Sequence, residues 1–474
     1  MKNHKKTIVC LLCVLLILPL ISCNPTAIKD PLASSNEEPR QSTTSSVPSE
    51  LPENEWAPLI SEDEALQSFG LGSREDTVGA SIRSRKCYGE FVYYRGTYSF
   101  KSMGGDKSFP TLLRYDMSTG TSEPACRDAA CTHQKDDCPF AKPEEIKNFL
   151  IDDGVLYFLR VKLKSNGKID TSKKGGIYSY NLKTLEYKYL CDWEGCDSTY
   201  LNLYEGAVYF IQYDFHTNDN GYDRWVFACD INSGKTEKLF CYGNETDTIF
   251  KGRYPVTIDE KGRFIFRNIR SDYIPLEIKE VDVVFECAEL KKNAEFVTLG
   301  KETTIHFDSV TLQGFVYADS KIYYPEYVKQ VFHSVIVNGQ TTEVPLFQRS
   351  VRCLDLTTGE TETVAENVAG GFTLGGKYLY YTPYKYKKVS YPNGDNAVFA
   401  TYGEVIQVNL ETGEERTFKV DENIEICGSG QAYYYRGRLF NYINDAATGS
   451  SYDAEIDLST GKYRKVVTEL VSIS

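Results

Sequence analysis

Residues 355–360 read DLTTGE, and variants of this short turn occur seven times along the 474 residues of the chain. Each copy begins with Asp, Asn or, once, Glu, and four positions later it has Gly five times and Asn once. The copies are DMSTG (116–120), NLKTL (181–185), DINSG (230–234), ELKKN (289–293), DLTTG (355–359), NLETG (409–413) and DLSTG (457–461). Gly and Asn accept the positive φ of a hairpin corner. The repeat therefore predicts seven hairpin turns, of which only Leu185 departs from the pattern.

A strand that ends in aromatic or apolar residues stands ahead of each turn. These strands are EFVYY, VLYF, AVYF, RFIF, KIYY, YLYY and AYYY, and they end at residues 94, 158, 210, 266, 324, 381 and 435. Strand-like segments that are each followed by turn residues, at the intervals between these strand ends, are typical of propeller blades. The 3.6-residue period of a helical repeat is absent. The sequence predicts an all-β fold, a seven-bladed β-propeller of four-stranded antiparallel blades over residues 80–474. We expect it to close by packing of blade on blade rather than by an exchanged strand.

The repeating unit, G-x-V-Y-Y followed by I-Y-x-Y/D-L-x-T-G-E, resembles that of TolB-like and YWTD-like propellers. The likeness is strongest to propellers in surface lipoproteins of Gram-positive, clostridial-type gut bacteria. It covers the whole folded region and implies a fold rather than a reaction, since most members of that group have no assigned function. The Gly-His and Trp-Asp pairs of WD repeats are absent from the sequence, and its glycine pairs do not recur with the rhythm of kelch repeats.

The N-terminus predicts export and attachment to a membrane. Residues 1–22 are a basic segment followed by an apolar run that is short for a membrane span, the pattern of a signal peptide. The run ends in LISC, which resembles a lipobox, so cleavage before Cys23 would leave a lipidated cysteine. The alternatives are an ordinary signal peptide and an uncleaved anchor. We expect a protein anchored in the lipid bilayer by its acyl chains, on the extracellular face of the cell membrane.

Residues 23–79 are predicted to be a tether. Residues 24–55 are rich in Pro, Ser, Thr, Glu and Asn and cannot bury enough apolar surface to offset the entropy of ordering. Ser61 and Glu64 have the spacing of a capping box before Gly70, so a short helix is expected there. The chain has 53 basic and 66 acidic side chains, without a basic stripe, which excludes nucleic acid as a natural partner.

Long insertions mark one face of the predicted propeller. In four repeats they separate the second from the third strand, and Asn-Gly pairs at 166–167, 220–221, 338–339 and 393–394 mark their tips. Loops built up on a rigid scaffold usually carry the binding residues. We therefore predict a binding module for a glycan, a peptide or a surface protein, with an aromatic set on this face. That set is Tyr213, Phe215, Tyr222, Trp225, Tyr384 and Tyr386.

The alternative function is an extracellular hydrolase or lyase that acts through a carboxylate pair in the central channel. The sequence contains no HExxH, G-x-S-x-G or P-loop motif. Scattered carboxylates need no local motif, and a separation typical of glycosidases beneath an aromatic platform would favour the enzyme.

A cysteine-rich stretch, CRDAACTHQKDDCPF (126–140), follows the last strand of the first repeat. Cys126, Cys131, His133 and Cys138 have the atoms of a tetrahedral zinc site. Export favours disulfides instead, and Cys191 and Cys196 repeat the C-x4-C spacing without a histidine. Reduced corner cysteines are the third interpretation. Eleven of the 14 cysteines follow Cys23, so at least one lacks an intramolecular disulfide partner.

Overall fold

The computed structural model describes the propeller region of the chain. The described residues are 85–101, 107–128, 131, 138–140, 146–162, 164, 170, 172–194, 200–215, 222–244, 252–270, 279–307, 315–390, 394, 396–399, 403–426, 433–445, 448, 450–466 and 469–473. All belong to the unit Glu53–Ser474, one of the two into which the chain divides. The predicted signal peptide, Cys23, tether and short helix lie outside these residues. Every regular element within them is a strand, and they contain no helix long and apolar enough to cross a membrane.

The first two blades each follow the chain strand by strand. The first blade consists of β1 (Arg85–Tyr88), β2 (Phe91–Lys101), β3 (Lys107–Asp116) and β4 (Thr121–Pro124), and the second of β5 (Ile146–Asp152), β6 (Val155–Arg160), β7 (Gly175–Asn181) and β8 (Tyr187–Trp193). Each strand pairs antiparallel with the next.

The third and fourth blades repeat this order. The third consists of β9 (Leu201–Tyr204), β10 (Ala207–Phe215), β11 (Tyr222–Asp230) and β12 (Thr236–Asn244), and the fourth of β13 (Gly252–Ile258), β14 (Arg263–Ile269), β15 (Lys279–Glu289) and β16 (Val297–Phe307).

A seven-stranded sheet follows, which we call the wide sheet. It consists of β17 (Val316–Ala318), β18 (Lys321–Val337), β19 (Gln340–Asp355), β20 (Thr361–Gly375), β21 (Tyr378–Pro383), β24 (Glu404–Asn409) and β25 (Glu415–Lys419). A small hairpin, β22 (Lys387–Ser390) and β23 (Asn396–Phe399), is inserted between β21 and β24. The last blade contains β26 (Ile424–Ile426), β27 (Tyr433–Tyr435), β28 (Arg438–Asp445), β29 (Ser450–Asp457) and β30 (Tyr463–Lys465).

The sheets are arranged as a propeller because their first strands lie side by side. β1 contacts β5, β5 contacts β9, β9 contacts β13, and β13 contacts β17. Each sheet is covered on both faces by its neighbours, so strands such as VLYFLR of β6 are buried at nearly every position. This burial explains the aromatic pairs of the repeat. The all-β propeller of four-stranded antiparallel blades is confirmed, while the described strands form five separate blades and the wide sheet.

The seven repeated turns have the predicted conformation. The fifth residue has a positive φ in every copy, namely Gly120 (75°), Leu185 (65°), Gly234 (69°), Asn293 (52°), Gly359 (74°), Gly413 (72°) and Gly461 (72°). In the fifth copy, the Asp355 carboxylate accepts hydrogen bonds from the N–H groups of Thr357 (2.7 Å) and Thr358 (3.1 Å). Asn409 does the same in the sixth copy with its amide oxygen. The side-chain cap holds the turn, so even Leu185 adopts the left-handed conformation.

The expectation that no strand is exchanged is wrong. The C-terminal strand β31 (Glu469–Ile473) pairs in parallel with β2 of the first blade, from Thr97↔Glu469 to Lys101↔Ile473. β1 covers β2 only from Phe91 to Tyr94, which leaves the rest of that edge for another strand. The last residues of the chain therefore complete a sheet that the first strands begin.

Candidate binding cleft and cysteine cluster

An open cleft lies in the wide sheet where β20 passes from one half to the other. β20 pairs with β19 up to Val368 and with β21 from Val368 to Gly375, with a register shift between Val368 and Phe372. The two halves leave a cleft of about 710 Å³, whose floor is formed by Val364, Ala365 and Ile406. This volume lies within the range of small-ligand sites.

Two carboxylates and a tyrosine form one wall of the cleft. Glu366 belongs to β20, Glu415 begins β25, and both lie near Tyr381 of β21. Burial and then the negative charges of Glu415 and Glu366 raise the pKa of Tyr381 to about 12. The phenol therefore stays protonated and remains a hydrogen-bond donor, whereas the exposed Glu366 offers acceptor oxygens to a ligand.

Tyr384 and Lys385 form the other end of the cleft. The N–H of Tyr384 donates a hydrogen bond to the carbonyl of Asn367, which ties the two halves together at this point. The Tyr384 hydroxyl is shielded from solvent and has no hydrogen-bond partner among the described residues, and burial raises its pKa. Lys385 forms an ion pair with Glu404. The cleft thus combines a phenol ring, acceptors and donors, the groups that bind polyhydroxylated molecules.

Two hairpins extend the sheet beside this cleft. β18 and β19 pair as far as Val337↔Gln340 around an Asn338-Gly339 tip with positive φ at both residues, as predicted. The hairpin β22–β23 packs on β18, where Asn396 Oδ1 accepts a hydrogen bond from the N–H of Ile336 at 2.9 Å. The predicted insertions at this part of the chain are therefore ordered, paired strands.

Tyr386 lies beside these hairpins rather than in the cleft. Its side chain is 60% exposed, and its ring centroid is 4.4 Å from that of His333 on β18. Tyr386 and Tyr384 are two residues apart, and only Tyr384 lines the cleft.

The predicted aromatic residues of the third blade do not form one platform. The rings of Tyr213 and Tyr222 stack at 4.7 Å with an interplanar angle of 7°. Phe215 pairs with Tyr222 in the register of β10 and β11, where Trp225 is opposite Gln212. Because Tyr222 and Trp225 are three positions apart on one strand, they point to opposite faces of the sheet. Trp225 is instead covered by Lys238, whose Nζ is 3.9 Å from the ring centroid.

The cleft residues Glu366, Asn367, Tyr381 and Glu415 were not predicted. They belong to the outer strand of one half and to two strands of the other, up to 49 positions apart in the numbering. Tyr384 was predicted because it is one of the aromatic residues of the long insertion that begins at residue 384. Nothing in the local sequence distinguishes the other four from solvated strand residues.

Three of the predicted sulfur ligands form a cluster between the first and second blades. The Sγ atoms of Cys126, Cys131 and Cys138 all lie within 4.8 Å of one another, and Cys126 and Cys138 are buried. The pKa of the Cys138 thiol is raised, first by its hydrogen bond to Cys126 and then by burial. This cluster has the ligands to hold a metal ion. His133 lies outside the described residues, so its predicted part in a zinc site stays a prediction.

Cys191 has a different neighbour from the predicted one. Its thiol forms a hydrogen bond with that of Cys229, and both are buried where β8 of the second blade packs on β11 of the third. Cys196 lies outside the described residues, so a bond between Cys191 and Cys196 remains untested. The contact between thiols of two blades was not visible in the spacing of either cysteine.

A carboxylate pair is present, but it is closed to ligands. Glu455 and Asp457 on β29 are both 0% exposed. Arg438 lies 3.1 Å from Glu455 (Nε to Oε1) and 2.6 Å from Asp457 (Nη1 to Oδ2), and Arg464 lies 2.7 Å from Glu455 (Nε to Oε2). Tyr115 of the first blade donates a further hydrogen bond to Glu455. The pair therefore joins the last blade to the first.

Comparison with known proteins gives similarity of fold. No protein-family model and no curated protein matches the chain. The β-propeller domain of the trilobed protease from Pyrococcus furiosus is similar over 82% of this chain and 96% of that chain, with 12% identity and a TM-score of 0.45. The acylaminoacyl peptidase of Pyrococcus horikoshii has 13% identity and a TM-score of 0.47 over 84% of this chain, which matches 54% of that one. An oligogalacturonate lyase from Vibrio parahaemolyticus has 11% identity and a TM-score of 0.39, over 79% and 89% of the two chains.

Proposed function

We propose that this chain is a lipid-anchored protein of the cell surface whose propeller binds a glycan in the cleft of the wide sheet. The observation that carries the proposal is the cleft itself, which opens between two halves of a sheet that are otherwise held by paired strands. Among a glycan, a peptide and a surface protein, its groups favour the glycan. The Tyr384 ring offers a stacking face, and Glu366 and Asn367 offer oxygens to sugar hydroxyls.

We also propose that the wide sheet contains two blades. β20 pairs with β19 by its first half and with β21 by its second, so it serves as the outer strand of one four-stranded set and the inner strand of the next. Its second half is in contact with β27 of the last blade, as expected for an inner strand. With the five separate blades this makes seven, one for each repeated turn. A crystal structure with one unbroken seven-stranded blade would contradict the count.

The hydrolase or lyase remains the alternative prediction, and Glu366 and Glu415, two exposed carboxylates that line the cleft, are the pair available to it. It requires two carboxylates that a substrate can reach. Glu455 and Asp457 are sealed between blades, and the buried Glu286 is held by Arg253 (Nε, 2.5 Å) and Arg270 (Nη2, 3.1 Å). Hydrolysis of a glycan by the purified protein would revive this alternative.

The membrane tether follows from the sequence of residues 1–23. Metabolic labelling with an alkyne fatty acid is expected to tag the wild-type protein and to leave Cys23→Ala unlabelled and released from the membrane. Label that persists in Cys23→Ala would contradict lipid attachment at this cysteine.

Binding is tested with the purified protein on a glycan array, followed by titration of the strongest ligand. Tyr384→Ala removes the ring from the cleft, and we expect affinity to fall about threefold to tenfold, the equivalent of one aromatic contact. Tyr442→Ala is the matched control, because Tyr442 is an exposed tyrosine on β28 of the last blade. Equal losses in both variants, or none in Tyr384→Ala, would remove the cleft as the site.

A further inference from the structure

We propose that Cys126, Cys131 and Cys138 form a three-thiolate site for a divalent, thiophilic metal ion of the zinc class. The site is independent of the glycan cleft, because it lies between the first and second blades and not in the wide sheet. Its three sulfur atoms come from the connection between β4 and β5.

The spacing of the sulfur atoms fits a metal better than it fits a disulfide. Zinc–sulfur bonds of about 2.3 Å in a tetrahedral arrangement place neighbouring sulfurs about 3.8 Å apart. The three sulfurs already lie within 4.8 Å of one another, so small side-chain movements bring all three to a common ion. A disulfide joins two sulfurs at about 2.05 Å and always leaves the third thiol unused. A metal uses all three.

The backbone around the cluster holds the cysteines in place. The N–H of Ala125 donates to the carbonyl of Leu112 at 2.9 Å, which fixes the end of β4 next to Cys126. The N–H of Cys131 donates to the carbonyl of Asp128 at 3.0 Å, which fixes the backbone of Cys131 near that of Asp128. Backbone hydrogen bonds thus hold the chain next to Cys126 and at Cys131.

The surroundings distinguish this cluster from ordinary core cysteines. Cys287 and Cys353 are buried singly in other core clusters, where each behaves as a small apolar side chain. Packing alone does not require three sulfurs at one point.

Phe140 contacts Tyr180 with ring centroids 4.9 Å apart and packs in the same core cluster as the cysteines, while Cys131 is half-buried. The approach of the metal, and the exit of the three thiol protons that it displaces, is therefore from the side of Cys131.

The test uses the full chain purified anaerobically and loaded with zinc, with cadmium as a spectroscopic probe. We expect about one zinc ion per chain by mass spectrometry. Cadmium should give the ultraviolet charge-transfer band of a metal thiolate. Adding a strong chelator should lower the melting temperature, because the metal stabilises only the folded chain.

Matched variants assign the ligands. Cys131→Ser should reduce bound metal at least tenfold, whereas Cys241→Ser should retain it, because Cys241 is equally half-buried and lies on β12 of the third blade. Cys138→Ala and Cys353→Ala make the same comparison for fully buried cysteines. The comparison of melting temperatures with and without chelator uses the wild-type protein alone, so it does not depend on whether a variant folds. Metal retained in Cys131→Ser, or a disulfide between two of the three cysteines in the anaerobic protein, would overturn the proposal.

Discussion

The junction between the last blade and the first differs sharply from the junction within the wide sheet. We call the junction between the last and the first blade the closing junction, and the junction within the wide sheet the open junction. At the closing junction, Arg438 and Arg464 neutralise Glu455 and Asp457, which are fully buried, and β31 adds a strand of the C-terminus to the first blade. At the open junction, the two halves share a hydrophobic core that includes Val351, Leu379 and Val408, and a cleft of about 710 Å³ opens between them.

The space around the glycines of the repeated turns shows the same difference between a tightly packed and an open junction. A Cβ atom on Gly120 in the first blade would lie 2.7 Å from Nη1 of Arg464 at the closing junction, and one on Gly461 in the last blade would meet the carbonyl oxygen of Lys419 at the junction with the wide sheet. Only glycine fits such close approaches. A Cβ atom on Gly413, the turn at the open junction, would meet nothing within 4 Å. The turn of one repeat normally packs on the outer strand of the repeat before it, and here it does not.

This contrast indicates how one repeated unit provides both a closed scaffold and a binding site. A ring has to be sealed where the chain ends meet, since separation there would expose the cores of two blades. Elsewhere a junction can stay partly open at less cost, because the chain continues through it as β20. We infer that the sealed junction keeps the open one in a fixed geometry, which a binding cleft requires.

The largest effect is expected from breaking the closing junction. Arg438→Ala leaves Glu455 and Asp457 buried and removes the guanidinium group that contacts both carboxylates. Removing one partner of a buried ion pair typically costs about 3–5 kcal/mol, because the remaining charge is uncompensated. We expect the free energy of unfolding to fall by about 3 kcal/mol or more in urea denaturation.

Lys377→Ala is the control for this change. Lys377 pairs with Glu411 at 3.2 Å (Nζ to Oε2) near the open junction, with 45% and 66% of the two side chains exposed. Exposed pairs contribute about 0–1 kcal/mol, so this variant should unfold almost as wild type does. If both variants lose the same stability, the two junctions do not differ as we describe.

The fold was largely predictable from the sequence because the repeat encodes local structure. Six of the seven turns have a capping Asp or Asn side chain at the first position, and all seven have positive φ at the fifth, and these interactions form within one hairpin. Even the exception, Leu185, follows the rule, since Asn181 caps its turn. The strands were recognisable for the same reason, as aromatic pairs that two neighbouring blades bury.

The site and the closing junction were not predictable because they depend on contacts between distant residues. Glu455 accepts a hydrogen bond from Tyr115, which is 340 positions away in the sequence. Glu366 and Tyr384 line the same cleft, but Glu366 lies on β20 and Tyr384 follows β21. Strand register also decides where a side chain points, so Tyr222 and Trp225 face opposite ways although they are close in sequence. The cysteine cluster lies between these cases. Its spacing identified the sulfur ligands, and the fold brought them together.

The smallest expected effect concerns pH and compares the capping carboxylate of a repeated turn with a buried carboxylate at the closing junction. Asp355 is the last residue of β19 in the wide sheet. Hydrogen bonds from the Thr357 hydroxyl and then from the N–H groups of Thr357 and Thr358 lower the pKa of Asp355. Burial raises the pKa of Glu455 at the closing junction. The stability from Asp355 is thus present above the pKa of an unfolded Asp, about 3.9, and is lost as pH falls through the lower folded value. The contribution of Glu455 has the opposite sign and is lost as pH rises through its raised folded value.

Asp355→Asn tests the first half of this comparison without disturbing the turn, because Asn409 already caps the equivalent turn with an amide. We expect wild type to be slightly more stable than Asp355→Asn at about pH 7, the difference to shrink as pH falls below about 3.9, and the difference to vanish only below the lowered folded pKa, where Asp355 is protonated in both states. Glu455→Gln should show the reverse trend, with wild type losing stability relative to the variant as pH rises. Urea midpoints measured across this range check both. A difference that is constant with pH for Asp355→Asn would mean that its carboxylate is not held by the turn. The same trend in both variants would mean that burial does not raise the pKa of Glu455 at the closing junction.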